Sequence, residues 1–150
     1  MIVLDTNVLS ELMRSAPDVA VTNWVATQSA ANLFVTTITQ AEILHGVLLL
    51  PRGRRRASIE AAADAMFEED FAGRILPFGS LATHAYAEIA VARRQSGRPI
   101  SQFDAQIAAI AKSAGAGVAT RNVPDFEGCG IELNAPPAQL GGDIRQLVSE

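Results

Sequence analysis

Four acidic residues stand far apart in the sequence but share one context, the junction between a strand-like or loop stretch and a following helix-like one. They are Asp5 after "IVL", Glu42 soon after "VTTIT", Asp104 at the start of "FDAQIAAIAKSAG", and Asp125 after "GVATRNVP". In an open parallel sheet, ligands bind beyond the carboxyl ends of the strands. We therefore expect acids from distant parts of the chain to converge on one crevice.

A cluster of this kind has a definite chemical use. Carboxylates that lie close together repel one another and raise one another's pKa values. A hard divalent cation relieves this repulsion, and Mg²⁺ or Mn²⁺ prefers oxygen ligands. The bound ion can lower the pKa of a water molecule, orient that water, and stabilise the charge that builds on a phosphoryl oxygen. The acids therefore indicate metal-assisted hydrolysis of a phosphodiester.

Helix capping is the alternative explanation for the same residues. Thr39 with Glu42, and Ser101 with Asp104, fit the pattern in which a hydroxyl and an acid three residues later satisfy free helix amides. Asp5 also fits as an N-cap, although the two polar residues after it could cap the helix equally well. The sequence leaves both interpretations open for Glu42 and Asp104, and it favours a functional role for Asp5.

The elements that must position these acids alternate along the chain between strands and helices. The predicted strands cover residues 2–4, 33–39, 74–79, 117–120 and 131–134. The predicted helices cover about residues 8–14, 18–28, 40–50, 57–73, 81–95 and 103–114, with a basic break at 51–56. This alternation implies parallel strands joined by helical crossovers, so the predicted class is α/β.

Length and composition indicate one domain. The chain has 150 residues and a formal charge of −4, and no apolar run approaches the roughly 20 residues needed to cross a bilayer. The single cysteine, Cys129, excludes an internal disulfide, and the first residues lack a signal peptide, so we expect a soluble cytoplasmic protein. The negative charge does not match a general nucleic-acid binder, although a bound cation reverses the sign at an acidic site.

Four blocks of the sequence together resemble the PIN-domain ribonucleases, and within them the VapC and FitB toxins of bacterial toxin–antitoxin pairs. The blocks are "IVLDTNVLSEL", "TITQAEILHGV", "FDAQIAAIAKSAG" and "VATRNVPDF". They occur in the family's order and approximate spacing, and the resemblance runs from Met1 to about Pro136. It implies a PIN-like three-layer domain over residues 1–136, with a central, mainly parallel sheet flanked by helices, and a C-terminal tail at 137–150.

The resemblance also implies roles for particular residues. Asp5, Glu42 and Asp104 would be the core acids of a site that binds Mg²⁺ or Mn²⁺ and cleaves RNA. The implied polar supports for a metal-bound water or a neighbouring carboxylate are Thr6, Asn7 and Thr120.

The fourth acidic position departs from the family pattern. Many relatives carry an acid directly after the Thr-Arg or Thr-Asn pair, where this chain has Asn122. Asp125, three residues further on, occupies another place where relatives can carry an acid. We therefore expect Asp125 to be the fourth, more peripheral acid, and Asn122 to be a neutral ligand or a partner of a ligand.

The partners implied by the resemblance are an RNA substrate and a cognate antitoxin of the VapB or FitA kind. The antitoxin would hold the toxin inactive and would carry the contact with DNA, and the toxin would be a homodimer without a membrane contact. One alternative is a catalytically weak module with the same fold that acts mainly by binding its antitoxin, which the departure at Asn122 would favour.

Other motifs have weaker alternative interpretations. An aspartyl-phosphate phosphotransferase would also place an acid at Asp5, but such enzymes carry a second Asp two residues later, where Asn7 stands. Glu42 and His45 form one E-x-x-H pair, whereas a di-iron bundle needs two such pairs and four helices. The "RGRRR" run at 52–56 predicts either contact with RNA phosphates, a solvated loop or an antitoxin-docking surface.

Overall fold

The computed structural model describes residues 1–136, so the predicted tail lies outside the described residues. Its centre is a five-stranded sheet in which every pairing is parallel and the strand order is β3-β2-β1-β4-β5. The strands are β1 (Ile2–Leu4), β2 (Leu33–Thr36), β3 (Ile75–Leu76), β4 (Gly117–Ala119) and β5 (Leu133–Asn134). The predicted α/β class with a parallel sheet is confirmed.

Helices cover both faces of the sheet. They are α1 (Thr6–Leu12), α2 (Val19–Ala26), α3 (Thr37–Leu48), α4 (Arg54–Ala65), α5 (Ser80–Gln95), α6 (Gln102–Ser113) and α7 (Val123–Phe126), with a 3₁₀ turn at Ala30–Asn32 and a π turn at Met66–Asp70. No helix within residues 1–136 is both long enough and apolar enough to cross a membrane.

The core is divided in two by the sheet. Neighbouring residues of a strand point to opposite faces, and Val3 and Leu4 belong to different buried clusters for this reason. Val3 shares its cluster with Ile107 of α6, whereas Leu4 shares its cluster with Val8 of α1 and Ile43 of α3. The three-layer arrangement is therefore helices, sheet and helices, as predicted.

Several predicted strands and helices have different bounds in the structure, and three of the differences bear on the site or on the basic run at 52–56. The β-branched stretch at 33–39 predicts strand throughout, but β2 ends at Thr36 because the Thr36 hydroxyl accepts a hydrogen bond from the Thr39 amide (3.1 Å) and starts α3. The strand predicted at 74–79 is confined to Ile75–Leu76. The helix predicted over 57–73 begins earlier, at Arg54, so half of the predicted basic break is helical.

One short helix was not predicted. Residues Val123–Phe126 form α7, with a proline in its first turn, in the stretch that the sequence indicates only as a segment after a strand. Proline is favoured in a first helical turn because it lacks the amide that would remain unbonded there. This helix carries Asp125, so the missed element is also one that positions a candidate acid.

The sheet brings three chain segments to one edge. β1 lies between β2 and β4, with Val3 opposite Phe34 and Leu4 opposite Ala119. The Asp5 amide continues the ladder by donating to the Ala119 carbonyl oxygen (2.9 Å). The residues that follow these three strands therefore meet beyond their carboxyl ends.

Candidate active site

Asp5 is both a helix cap and a member of the acidic cluster. Its Oδ1 accepts a hydrogen bond from the Thr6 amide (2.7 Å), which caps α1, and its Oδ2 accepts one from the Thr120 hydroxyl (2.9 Å). The residue is only 4% exposed. The two interpretations of Asp5 are therefore not exclusive, because each oxygen of the carboxylate has its own partner.

The electrostatic surroundings of Asp5 disfavour its charged form. Burial is the main cause that raises its pKa from 3.8 to about 7, and the negative charges of Asp104 and Glu42 raise it further. The hydrogen bonds from Thr120 and Thr6 act in the opposite direction but do not compensate. Asp5 thus lies within the electrostatic reach of two other acids that are 37 and 99 residues away in the sequence.

Glu42 lies on α3, where a network of threonine hydroxyls meets it. The Thr6 hydroxyl donates to Glu42 Oε1 (2.9 Å) and also lies 2.9 Å from the Thr39 hydroxyl. Burial raises the pKa of Glu42, the charge of Asp104 raises it further, and the Thr6 hydrogen bond lowers it. Thr36, not Thr39, caps α3, so the proposed capping pair of Thr39 and Glu42 is wrong.

Asp104 lies in the first turn of α6. Ser101 caps this helix, because its hydroxyl oxygen accepts a hydrogen bond from the Asp104 amide (3.2 Å). Burial raises the pKa of Asp104 and the charge of Asp125 adds to the effect, whereas the Ser101 hydroxyl and the Arg93 cation lower it. Capping by Ser101 is confirmed, and the Asp104 carboxylate is at the same time part of the acidic cluster.

Asp125 and Asn122 are the two candidates for the fourth position of the acidic cluster. Asp125 is exposed on α7 and lies close enough to raise the pKa of Asp104 through its charge. Asn122 is exposed as well; its backbone amide donates to the Thr120 hydroxyl oxygen (3.0 Å), and its side chain does not cap α7. Of the two, Asp125 is the one with an electrostatic link to another acid of the cluster.

The predicted polar supports hold the loops around Asp5 in place. Thr120 is fully buried, and its oxygen is contacted by the Asn7 side-chain amide (3.5 Å) as well as by the Asn122 amide. The Asn7 side-chain oxygen Oδ1 accepts a hydrogen bond from the Arg121 backbone amide (3.3 Å). Asn7 therefore links the start of α1 to the segment after β4 and is not placed as an acid or base.

Sequence reasoning missed three groups of polar residues near the site. Arg93 is buried near Asp104, the Thr36 hydroxyl adjoins the Thr39 hydroxyl (3.4 Å), and Arg121 forms a buried ion pair with Glu11. The only signal for Arg121 was its position beside Thr120, and nothing separated Arg93 from the exposed Arg94 beside it.

The donor chemistry of the cluster fits a hard cation. Every candidate ligand offers an oxygen atom, from a carboxylate, a hydroxyl or the Asn122 amide, which suits Mg²⁺ or Mn²⁺ and not a soft metal. Within residues 1–136 no three side chains of His, Cys, Asp or Glu already form a group that could hold a metal ion. The acids are therefore joined by their shared electrostatic field and not by a preformed cage. His45 is exposed, and the α/β fold excludes the di-iron bundle.

A comparison with protein families shows which family this fold belongs to. The model of the PIN domain family matches residues 2–124. The chain belongs to the PIN-domain family. The five-stranded parallel sheet with its flanking helices is thus a PIN domain, and the resemblance of the four sequence blocks is confirmed.

Individual relatives cover nearly the same length. The chain is 39% identical over 136 residues to the VapC ribonuclease Y4jK of Sinorhizobium fredii, a match that spans 91% of this chain and 97% of the relative. It is 35% identical over 136 residues to the toxin FitB of Neisseria gonorrhoeae, spanning 91% and 98%. A solved structure of FitAB bound to a DNA fragment superposes with a TM-score of 0.86 at 34% identity, covering 91% of this PIN-domain chain and 95% of that chain.

Proposed function

We propose that this PIN-domain chain is the toxin of a toxin–antitoxin pair and acts as an endoribonuclease that depends on Mg²⁺ or Mn²⁺. The observation that carries the proposal is the environment of Asp5. This nearly fully buried carboxylate has only neutral hydrogen-bond donors, and burial, followed by the charges of Asp104 and Glu42, raises its pKa. The similarity to a VapC ribonuclease and to the toxin FitB supports RNA as the substrate and toxicity as the biological effect.

In this proposal the chain's own acids hold the ion. Asp5, Glu42 and Asp104 would supply the ligand oxygens, and Asp125 would complete the acidic rim. When bound, the ion would supply a more acidic water and stabilise negative charge on the scissile phosphate. No amino-acid nucleophile is needed for this chemistry.

Hydroxyl groups fix the orientation of these acids. Thr120 donates its one proton to Asp5 Oδ2, and Thr6 donates to Glu42 Oε1. Both Asp5 oxygens thus accept a hydrogen bond, Oδ1 from the Thr6 amide and Oδ2 from Thr120, and Glu42 accepts one at Oε1, so the protein sets the orientation of both carboxylates. Such outer partners of ligands usually matter almost as much as the ligands themselves.

The partners of the chain are part of the proposal. The FitAB structure bound to DNA supports an antitoxin that binds the toxin and carries the DNA contact. The cytoplasmic location and the homodimer stay predictions. RNA phosphates would meet the exposed arginines Arg52, Arg54 and Arg55 at the start of α4, because guanidinium groups match phosphate oxygens.

The decisive experiment is cleavage of structured RNAs by the purified chain in Mg²⁺, in Mn²⁺ and in EDTA. We expect cleavage with either ion, and we expect it to stop on chelation and in the Asp5→Asn variant. Asp64→Asn, which changes an exposed acid on α4, is the matched control and should cleave normally. Cleavage that survives both chelation and Asp5→Asn would overturn the metal-dependent activity.

The same variants separate the enzyme from an interaction module. Expression of the wild-type chain should arrest growth, and a neighbouring antitoxin gene should relieve the arrest. Asp5→Asn should no longer arrest growth if RNA cleavage is the cause. Arrest that persists in Asp5→Asn would instead favour a module that acts by binding, and a trapped acid-stable phosphoenzyme would favour a phosphotransferase.

A further inference from the structure

A buried arginine lies beside the acidic cluster, near Asp104 and Asp125. Arg93 lies in the last turn of α5 and is only 6% exposed. Arginine is seldom buried unless its charge and its five N–H groups find partners. Here the hydrogen bonds of the guanidinium go to backbone carbonyl oxygens instead of to carboxylates. Its position is therefore defined by the path of the backbone around it.

Those carbonyl groups belong to two different segments. Arg93 Nε donates to the Arg98 carbonyl oxygen (2.6 Å), which lies in the turn between α5 and α6. Arg93 Nη1 donates to the carbonyl oxygens of Asp125 (2.9 Å) and Glu127 (2.8 Å), at the end of α7. One side chain therefore ties the helix that carries Asp125 to the turn that leads into α6, where Asp104 lies.

The chain around Arg93 is shaped to receive the guanidinium. Gly128 has a φ of +76°, a left-handed conformation that L side chains rarely adopt, and a Cβ there would lie 3.8 Å from Arg93 Cδ. The buried Cys129 follows, with its sulfur 4.0 Å from Arg93 Nη1. The segment after α7 thus turns back over the arginine.

Arg93 also acts on the acids through its charge. It lowers the pKa of Asp104, in opposition to the charge of Asp125, which raises it. A second clamp on the same segment, from Arg98 to the Pro124 carbonyl oxygen (3.2 Å) and to the Glu127 carboxylate (3.0 Å), is exposed to solvent. Exposed ion pairs contribute little, so Arg93 is the stronger of the two arginine contacts to this segment, which is also held by the buried Phe126.

We propose that Arg93 is a positioning residue that anchors residues 125–129 so that the Asp125 carboxylate faces Asp104 in the metal site. The inference rests on the metal-dependent function proposed above. It concerns the fourth acidic position, where this sequence departs from the family pattern. Arg93 itself need not touch the ion or the RNA. It acts through the backbone of Asp125.

Arg93→Lys is the variant that tests this inference, because lysine keeps the charge but cannot serve three carbonyl groups in a fixed fork. Arg94→Lys, on the same turn of α5 but exposed, is the matched control. We expect amide exchange in residues 123–129 to quicken about 10-fold or more in Arg93→Lys. We expect Mn²⁺ affinity, measured by calorimetry on the metal-free protein, to fall about 10- to 100-fold, with Arg94→Lys like wild type.

A double-mutant cycle with Asp125→Asn separates positioning from general support of the fold. If Arg93 acts through the Asp125 carboxylate, Arg93→Lys should weaken Mn²⁺ binding much less in the Asp125→Asn background than in the wild type. An equal loss in both backgrounds would overturn the proposal. So would unchanged exchange and affinity in Arg93→Lys, or loss of the folded state in both Arg93→Lys and Arg93→Gln. If the wild type bound no Mn²⁺, the proposed function would fail, whereas unchanged exchange would refute the anchor itself.

Discussion

Two carboxylates at opposite ends of α1, Asp5 and Glu11, are both almost completely buried but have opposite electrostatic surroundings. Glu11 is 2% exposed, and cations surround it: Arg121 Nη1 lies 3.1 Å and Arg14 Nη1 lies 3.3 Å from its Oε2. Its other oxygen accepts a hydrogen bond from the Asp18 amide (2.8 Å). Asp5 is 4% exposed and instead has neutral donors and acidic neighbours.

The partners of each carboxylate distinguish a structural acid from a candidate functional one in this fold. Thr120 and Arg121 are consecutive residues, yet the hydroxyl of the first serves Asp5 and the guanidinium of the second serves Glu11. The chain therefore has a cation beside the acidic cluster and uses it elsewhere. At Asp5 the compensating charge is left to come from outside the protein, as the proposed metal ion would provide.

Asp5→Asn should give the largest change. Asparagine keeps the cap of α1 but removes a ligand, and since loss of an outer partner alone costs about 10- to 100-fold, we expect RNA cleavage to fall at least ~100-fold. The metal-free protein should at the same time become more stable, because the pKa difference between 3.8 and about 7 corresponds to roughly 4 kcal/mol. Cleavage rates and melting temperature without metal measure the two effects. A variant that lost both activity and stability would contradict the contrast with Glu11.

Glu11→Gln should do the reverse. It removes the closer of two carboxylates beside the buried Arg121 and leaves the more distant Asp18 Oδ2, 3.8 Å from Nη2; breaking a buried ion pair costs about 3–5 kcal/mol. Urea unfolding should show this loss, while cleavage per folded molecule and Mn²⁺ affinity should stay at the wild-type values. A drop in Mn²⁺ affinity as large as that of Asp5→Asn would mean that the two carboxylates belong to one electrostatic unit.

The pH dependence of stability should follow Asp5. Folded Asp5 holds its proton up to about pH 7, whereas the unfolded chain releases it near pH 3.8, so unfolding releases a proton between these values. The contribution of Asp5 to the free energy of unfolding of the metal-free protein should therefore be greatest below about pH 4 and decline toward pH 7. The decline, measured by urea titration at several pH values, should be smaller in Asp5→Asn. An identical pH profile in the two proteins would contradict the raised pKa of Asp5.

Thr120→Val should have the smallest effect. The substitution keeps the buried shape but removes the hydroxyl that donates to Asp5 Oδ2 and accepts from the Asn122 amide. We expect a loss of about 10-fold in Mn²⁺ affinity with a stability change of about 1–2 kcal/mol. Thr22→Val, which removes an exposed hydroxyl on α2, is the control. Unchanged affinity in Thr120→Val would mean that the Asp5 carboxylate is oriented by its cap alone.

The features that could be predicted from the sequence are those set by residues close together in the chain. Asp5, Glu42 and Asp104 could be placed at one edge of a sheet because a short apolar run, a turn and a helical repeat are visible within ten or fifteen residues. The start of α3 was missed because five successive β-branched residues favour a strand, whereas the Thr36 cap is one hydrogen bond. Local pattern does not show which of several threonines will cap.

The remaining part depends on contacts between distant segments. The pairing of Arg121 with Glu11, and that of Arg93 with the carbonyl groups of Asp125 and Glu127, joins residues 32 to 110 positions apart. Arg93 stands beside the exposed Arg94 in the sequence, and only the packed fold decides which of the two is buried. For the same reason, the choice between Asn122 and Asp125 could be stated from the sequence but not argued from geometry.

The pairing of β1 with β4 has a consequence for the order of events during synthesis. β1 is made well before its partner strand: Gly117–Ala119 and the hydroxyl of Thr120 are made more than a hundred residues later. Until then the edge of β1 that pairs with β4 has no neighbouring strand, and the acids are not yet brought together at one site. A nascent chain proposed to destroy the cell's RNA thus stays harmless until nearly all of the domain exists, which leaves time for an inhibitor to be present when the site first forms.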